Sequence, residues 1–425
     1  HHQIKSRKWR STCYSRVGIR LMFTYKIGIS AEEHDRFVKE NPQINLLQSS
    51  SWAKVKDEWG NERIGFYKDD QLVAAASVLI RPLPLGMTML YIPRGPIMDY
   101  LDQDLVQFVM TSLKTVAKKH KAVFIKFDPS VYFQRHLVDQ VVEDDEKATQ
   151  VIQNLQHAGC QWVGRTTDIA ETIQPRFQAN IYASDFIPEE FPKKVKQLMR
   201  IAENKGAVIE FGHLDMVEDF AELMKKTEAR KNIHLRNQDY YTKLLNIYGD
   251  DAYITMARLN VQERFDQQSK ELAKQEEVKA TFTDQTRQTK VNATLKEIER
   301  LTAELAFLKH YLDQGKKLVP LAATLSLNFG SSSENIYAGM DDDFKHYQPA
   351  LATWQKTAIH AFEMGITQQN MGGIENQLDG GLYNFKSKFN PMIEELIGEF
   401  NLPVSPFYKL FNLVYTIRKK LRSKH

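Results

Sequence analysis

The stretch Val291-Asn292-Ala293-Thr294-Leu295-Lys296-Glu297-Ile298-Glu299-Arg300-Leu301-Thr302-Ala303-Glu304-Leu305-Ala306-Phe307-Leu308-Lys309-His310-Tyr311-Leu312 decides how the rest of the chain is divided. Val291, Thr294, Ile298, Leu301, Leu305, Leu308 and Leu312 fall on alternating three- and four-residue spacings. That spacing puts one apolar seam along a helix, with Thr294 its polar member. Upstream, Val261 to Lys279 carries a weaker stripe of Val261, Phe265 and Leu272, and the polar Thr281 to Thr286 between the halves reads as a turn. From 261 to 317 there is no proline, and Gly315 is the sole glycine. The segment 260–317 is therefore expected to be an antiparallel coiled-coil hairpin.

On either side of this hairpin the pattern changes to strands, Ala252 to Leu259 before it and Leu318 to Phe329 after it, so the hairpin interrupts a domain. That domain is expected to span 166–392, with helices at Phe191 to Lys205, Met216 to Lys226, Asn237 to Tyr248 and Pro349 to Met364. A first domain over 22–165 alternates strands (Arg63 to Tyr67, Gln71 to Arg81, Thr88 to Ile92, Ala122 to Phe127) with a helix at Leu105 to Lys119, and 393–425 is expected to rejoin it. The fold class is α+β.

Composition narrows the function. At 425 residues, with 42% hydrophobic residues spread along the chain, two packed cores are expected. The net charge of +4 is local: residues 1–21 hold six Lys/Arg and no acid, and the remainder has 51 basic against 53 acidic residues. A globally basic nucleic-acid binder is thus not indicated. That first stretch, which begins His1-His2, reads as tag or vector sequence and is set aside. Two cysteines, Cys13 and Cys160, exclude a disulfide framework and a Cys-rich zinc site, and point to a cytoplasmic setting. Apolar runs reach about nine residues, short of the ~20 that span a bilayer. No Walker loop, HExxH, GxSxG or Rossmann glycine pattern is present, so no metal and no cofactor is expected.

Several short segments carry candidate chemistry. In Tyr91-Ile92-Pro93-Arg94-Gly95-Pro96 a rigid turn presents Arg94, either to hold an anionic group bidentately or to pair with a domain-interface carboxylate. Thr172-Ile173-Gln174-Pro175-Arg176-Phe177 repeats the design on a Pro-stiffened strand. Arg230, His234 and Arg236, followed by Tyr240 and Tyr241, gather cations and phenols suited to a diphosphate and a base or sugar, or form a solvated basic helix start. Asp128 ends a strand before Pro129, a place for a catalytic carboxylate or for a turn and cap. In Gly380-Gly381-Leu382-Tyr383-Asn384-Phe385-Lys386 the glycines permit close backbone approach and Lys386 can steady an oxyanion, unless they are hairpin glycines and a surface lysine.

Taken in order, Leu47-Gln48-Ser49-Ser50-Ser51-Trp52, Ile92-Pro93-Arg94-Gly95-Pro96, Phe127-Asp128-Pro129, Ile173-Gln174-Pro175-Arg176, Tyr337-Ala338-Gly339 and Gly381-Leu382-Tyr383-Asn384-Phe385-Lys386 resemble the Fem-type (FemABX) aminoacyltransferases, from about residue 22 to the C-terminus. Within that family the resemblance points to the streptococcal branching enzymes MurM and MurN. The resemblance implies two acetyltransferase-like (GNAT) domains with a helical hairpin in the second. It implies transfer of Ala or Ser, in preference to Gly, from aminoacyl-tRNA to the stem-peptide lysine of lipid II or to a residue already added there. By position Lys56, Arg236 and Tyr240 resemble residues that hold the precursor's diphosphate and head group, Lys386 the lysine near the reacting carbonyl, and Asp128 a proposed base. Arg94, Arg176 and Phe385 are further substrate-binding candidates. Asn390-Pro391 departs from the glycine of many relatives.

Two further expectations concern partners. Val261 to Ala280 carries four basic and five acidic residues, so the hairpin is not an evident electrostatic arm for tRNA. Phe411, Leu413, Val414 and Ile417, ahead of the basic run Arg418 to Lys424, could lie on an anionic membrane surface or form a solvated terminal helix. The competing function is a non-catalytic scaffold, or a tRNA- or lipid II-binding protein, acting through its coiled coil.

Overall fold

The computed structural model describes residues 8–14, 20–231 and 236–422. Two mixed eight-stranded sheets organise them. The first runs β1 (Lys8–Tyr14), β2 (Arg20–Ile27), β3 (Gly60–Lys68), β4 (Gln71–Pro82), β5 (Thr88–Ile92), β6 (Ala122–Phe127), β16 (Phe400–Pro403), β8 (Gln161–Trp162). The second runs β10 (Val208–Gly212), β11 (Ala252–Asn260), β12 (Leu318–Phe329), β13 (Ser332–Met340), β14 (Gln368–Gly373), β9 (Phe177–Tyr182), β15 (Met392–Leu396), β7 (Tyr132–Leu137). Each sheet has one parallel pair, β5–β6 and β13–β14, with every other pairing antiparallel. Helices cover the sheets, and the fold is α+β.

The chain passes between sheets more often than a simple two-unit division suggests. Tyr132–Leu137 lies inside the expected first domain yet pairs with β15 in the second sheet. Ile393 to Leu396, expected to rejoin the first domain, instead fill the gap between β9 and β7, and only β16 returns, pairing with β6 and β8. Residues 8–14, set aside above, pair with β2, whose outer edge offers unpaired backbone groups to any extended neighbour.

Local sequence explains most elements. Helix Gln103–Lys119 is N-capped by Asp102 and buries Leu105, Phe108, Val109, Leu113 and Val116 against the first sheet, where Phe108 stacks on Phe23 at 5.1 Å. Val38, Leu46, Trp52 and Val55, from the segment between β2 and β3, share one core with Phe220, Leu223, Tyr241 and Leu244 on helices Val217–Lys231 and Gln238–Tyr248. This shared core joins the two halves.

Helices Val261–Ala280 and Gln288–Asp313 form the hairpin, leaving the second sheet directly from β11 and returning into β12. Its neck closes where the Val261 N–H donates to the Lys317 carbonyl at 2.8 Å. Leu301 and Leu308 are fully buried and Thr294 nearly so, which is the seam of the opening stretch.

Candidate functional site

Three groups of side chains account for the residues singled out by sequence, and they differ in how fully their polar atoms are used. The first is a junction between the halves. Asp128, 1% exposed at the end of β6, accepts from the Tyr91 hydroxyl and from the Arg94 N–H, both at 2.7 Å. Arg94 sits at φ +53°, a left-handed conformation that costs a non-glycine residue energy, and the Asp128 carboxylate holds it there. The Arg94 guanidinium donates to the Pro175 carbonyl at 2.7 Å. Arg176 donates to Glu395, to the Thr166 carbonyl at 2.7 Å and to the Thr166 hydroxyl at 3.2 Å.

Both proline-framed arginines are therefore held by fixed protein acceptors, and Thr172 to Arg176 is a loop, not the expected strand. Burial pushes the Asp128 carboxyl up to about 6, against the pull of Arg94 and the Tyr91 hydrogen bond. With both oxygens engaged and no opening to solvent, Asp128 shapes the loop and is poorly placed to take a substrate proton.

The second group is the cation pair. Lys56 follows helix Ser50–Val55, which Ser49 caps, and Arg236 precedes Asn237, the N-cap of helix Gln238–Tyr248. Lys56 Nζ lies 3.4 Å from the Tyr240 hydroxyl and 5.1 Å from the Trp52 ring centroid, and the Arg236 guanidinium lies 4.7 Å over Tyr240. Burial, then the Arg236 charge, lowers the Lys56 pKa. Two like charges lie together at a helix N-terminus, with no salt bridge to either among the described residues, surroundings that favour an anion. Of the other residues in that run, Arg230 pairs with Asp342 at 3.3 Å, Tyr241 is fully buried, and His234 lies outside the described residues.

The third group surrounds Lys386. Where a glycine loop was expected, Gly381–Lys386 is a short helix whose first N–H groups, on Leu382 and Tyr383, donate to Glu375 at 2.9 Å each. A Cβ on Gly380 would stand 2.2 Å from Glu375, so glycine is required there. Lys386 is 7% exposed and donates to the Gly373 carbonyl at 2.6 Å. Burial draws its ammonium down to about 8, a shift opposed by Glu375. Phe385 packs edge-on against Trp354 and Phe389 at 5.6 and 5.5 Å, which makes it a support for this helix.

Sequence reasoning missed a polar cleft where β13 and β14 part. Strands β13 and β14 pair from Ser332 to Glu334 and then separate, and β13 bulges near Ile336. Glu334, at the last paired position, lines a cleft with Asn45, Tyr132, Gln178, Asn180 and Asn370. Burial pushes its carboxyl up to about 7 although Arg94 and Lys386 pull the other way. The available signal was a run of polar residues, Ser332 to Asn335, inside an otherwise apolar strand. No group of three or more His, Cys, Asp or Glu side chains able to hold a metal ion occurs among the described residues.

The chain is thus a two-sheet α+β fold whose one parallel pair in the second sheet parts near a buried lysine. The chain belongs to the FemAB family, whose family model matches residues 29–416. It is 28% identical over 415 residues to lipid II:glycine glycyltransferase of Staphylococcus aureus strain MRSA252, covering 92% of this chain and 95% of that protein. The counterpart in strain NCTC 8325 / PS 47 matches equally. The crystal structure of FemX superposes with a TM-score of 0.70 at 27% identity, covering 90% of this chain and 98% of that one.

Proposed function

We propose that this protein transfers an aminoacyl group, Ala or Ser in preference to Gly, from aminoacyl-tRNA to an amine of lipid II. The acceptor is the stem-peptide lysine or a residue already added there. The observation that carries this is the presence, in one molecule, of two neighbouring cations with Tyr240 at Lys56 and Arg236 and of a buried Lys386 ammonium held at the Gly373 carbonyl. Lipid II presents a diphosphate and, along its stem peptide, a primary amine, so one substrate answers to both. The family relation supports it, since the S. aureus relatives are named for glycyl transfer on lipid II.

In this scheme Lys56 and Arg236 grip the diphosphate and Tyr240 packs on the adjoining group. The acceptor amine attacks the ester carbonyl, and the Lys386 ammonium steadies the tetrahedral oxyanion. The ester is already activated, so no covalent enzyme intermediate is needed. Asp128, Arg94 and Arg176 position the walls of the cleft.

Helix Tyr408–Arg422 fits a lipid-linked substrate. Phe407, Leu410, Leu413 and Leu421 are each more than half exposed, and the stretch from 408 onward contains Lys and Arg but no acid. An unpacked apolar face with a basic end suits an anionic membrane surface. No helix among the described residues is long and apolar enough to cross a membrane.

The test is transfer of radiolabelled Ala, Ser and Gly from charged tRNA to lipid II and to lipid II already carrying one residue. Incorporation with one pair names donor and position. No incorporation from a folded protein that binds lipid II would favour the scaffold alternative.

A further inference from the structure

The cleft where β13 and β14 part contains one carboxylate whose partners are not accounted for. Glu394, nearby on β15, accepts from Arg135, Gln178, Asn180 and Tyr182. Glu395 and Glu399 are engaged by Arg176 and Arg165, and by Lys126 and the Ile173 N–H. The Glu334 side chain makes no hydrogen bond or salt bridge among the described residues and is partly exposed to the cleft it lines. Asn180, in the same cleft, has a similar vacancy: its amide N–H groups reach Tyr182, Gln368 and Glu394, while its oxygen is buried without a partner among the described residues.

An open carboxylate beside an unpartnered buried amide oxygen in one cleft suits a ligand rich in donors, and a primary ammonium carries three N–H groups and no acceptor. The charged and titratable groups facing Glu334 are Arg94 from the loop after β5, Lys386 from its helix, Tyr132 and Arg135 from β7, Tyr182 from β9, and Tyr248. The two cations oppose the upward shift of Glu334, whose carboxyl still lies near about 7 and is ionised above that pH, and the Lys386 and Glu334 charges act on each other. An amine held at Glu334 would lie beside the ammonium that faces the reacting carbonyl.

We propose that Glu334, with the Asn180 side-chain oxygen, receives the acceptor ammonium and that Glu334 takes its proton before attack. This rests on the aminoacyl-transfer scheme above. The ammonium gives one proton to the Glu334 carboxylate, and the freed amine forms a C–N bond to the ester carbonyl carbon. As the tetrahedral species collapses, the C–O bond to the tRNA ribose breaks and the second amine proton leaves with the ribose hydroxyl. Glu334 then returns its proton to water.

The test compares the full-length protein with Glu334→Gln and Glu334→Asp. Two quantities are read: transfer rate from pH 5.5 to 8.5, and binding of a lysine-bearing muramyl pentapeptide against its Nε-acetylated form. The wild type should lose kcat/KM as pH falls through about 7, where Glu334 becomes protonated. Glu334→Gln should abolish that limb and lower kcat by about 10²–10⁴-fold. It should also erase the preference for the free amine, and Glu334→Asp should restore part of each. Retention of the acidic limb, or of the amine preference, in Glu334→Gln would overturn the assignment. The binding comparison needs no turnover. Lost amine preference in a protein that transfers nothing would uphold Glu334 as amine receptor while overturning the transfer scheme.

Discussion

The junction around Arg94 and Arg176 differs from the groups at Lys56 and Arg236 and at Glu334 and Lys386 in how the polar atoms are used. At the junction the guanidinium groups end on fixed acceptors, Glu395, the Thr166 carbonyl and the Pro175 carbonyl. Lys56 and Arg236 are two cations side by side, and in the cleft the partly exposed Glu334 side chain and the buried Asn180 oxygen have no partners among the described residues. Satisfied buried charge holds structure together, whereas unsatisfied charge is a cost that a ligand can relieve. On that criterion the two arginine motifs most conspicuous in the sequence hold the architecture, and the less conspicuous residues are the ones proposed above for chemistry.

The contrast can be broken experimentally, beginning with its strongest consequence. Replacing Arg176 with Met leaves Glu395 buried with Arg165 as its remaining cationic partner, and loss of one member of a buried pair costs about 3–5 kcal/mol. Denaturant unfolding should show that loss, while turnover per folded molecule stays near wild type. Unchanged stability with impaired lipid II binding would return Arg176 to the binding site.

Lys386→Met should act in the opposite sense. It removes one donor to the oxyanion, worth about 10²–10³ in kcat, while lipid II affinity and unfolding free energy remain close to wild type. In the wild type this donor is lost as pH rises through about 8, so the rate should fall on that side. The variant should lack this basic limb. A rate insensitive to the substitution would remove Lys386 from the mechanism.

The smallest effect expected is at the anion site. Arg236→Ala removes one charged contact, about 1.5–3 kcal/mol or roughly ten- to hundredfold in lipid II Kd. Stability should be unaltered because Arg236 is exposed and its charge has no carboxylate partner among the described residues. The dependence of binding on salt should also weaken. Equal affinity in titration calorimetry would assign the diphosphate elsewhere.

Much of this architecture was readable from local pattern. The seam at Val291, Leu301 and Leu308, the strand Leu318–Phe329 and the helix capped by Asn237 depend on periodicity and capping within a few turns, and all appear where the pattern puts them. The placement of Tyr132–Leu137 and Met392–Leu396 was not readable, because strand partners lie far apart in sequence and short mixed strands carry no address.

The sequence by itself determined most element types and the two helices set between β11 and β12, because those follow from spacing and side-chain chemistry. Only the tertiary structure decided which charges are spent and which remain available. Arg94, Asp128 and Arg176 are enclosed by partners up to about 220 residues distant, while Glu334 and Lys386 are brought together from separate elements at the mouth of a splayed strand pair. Saturation of a polar group depends on its whole three-dimensional surroundings, so no local stretch of sequence can state it.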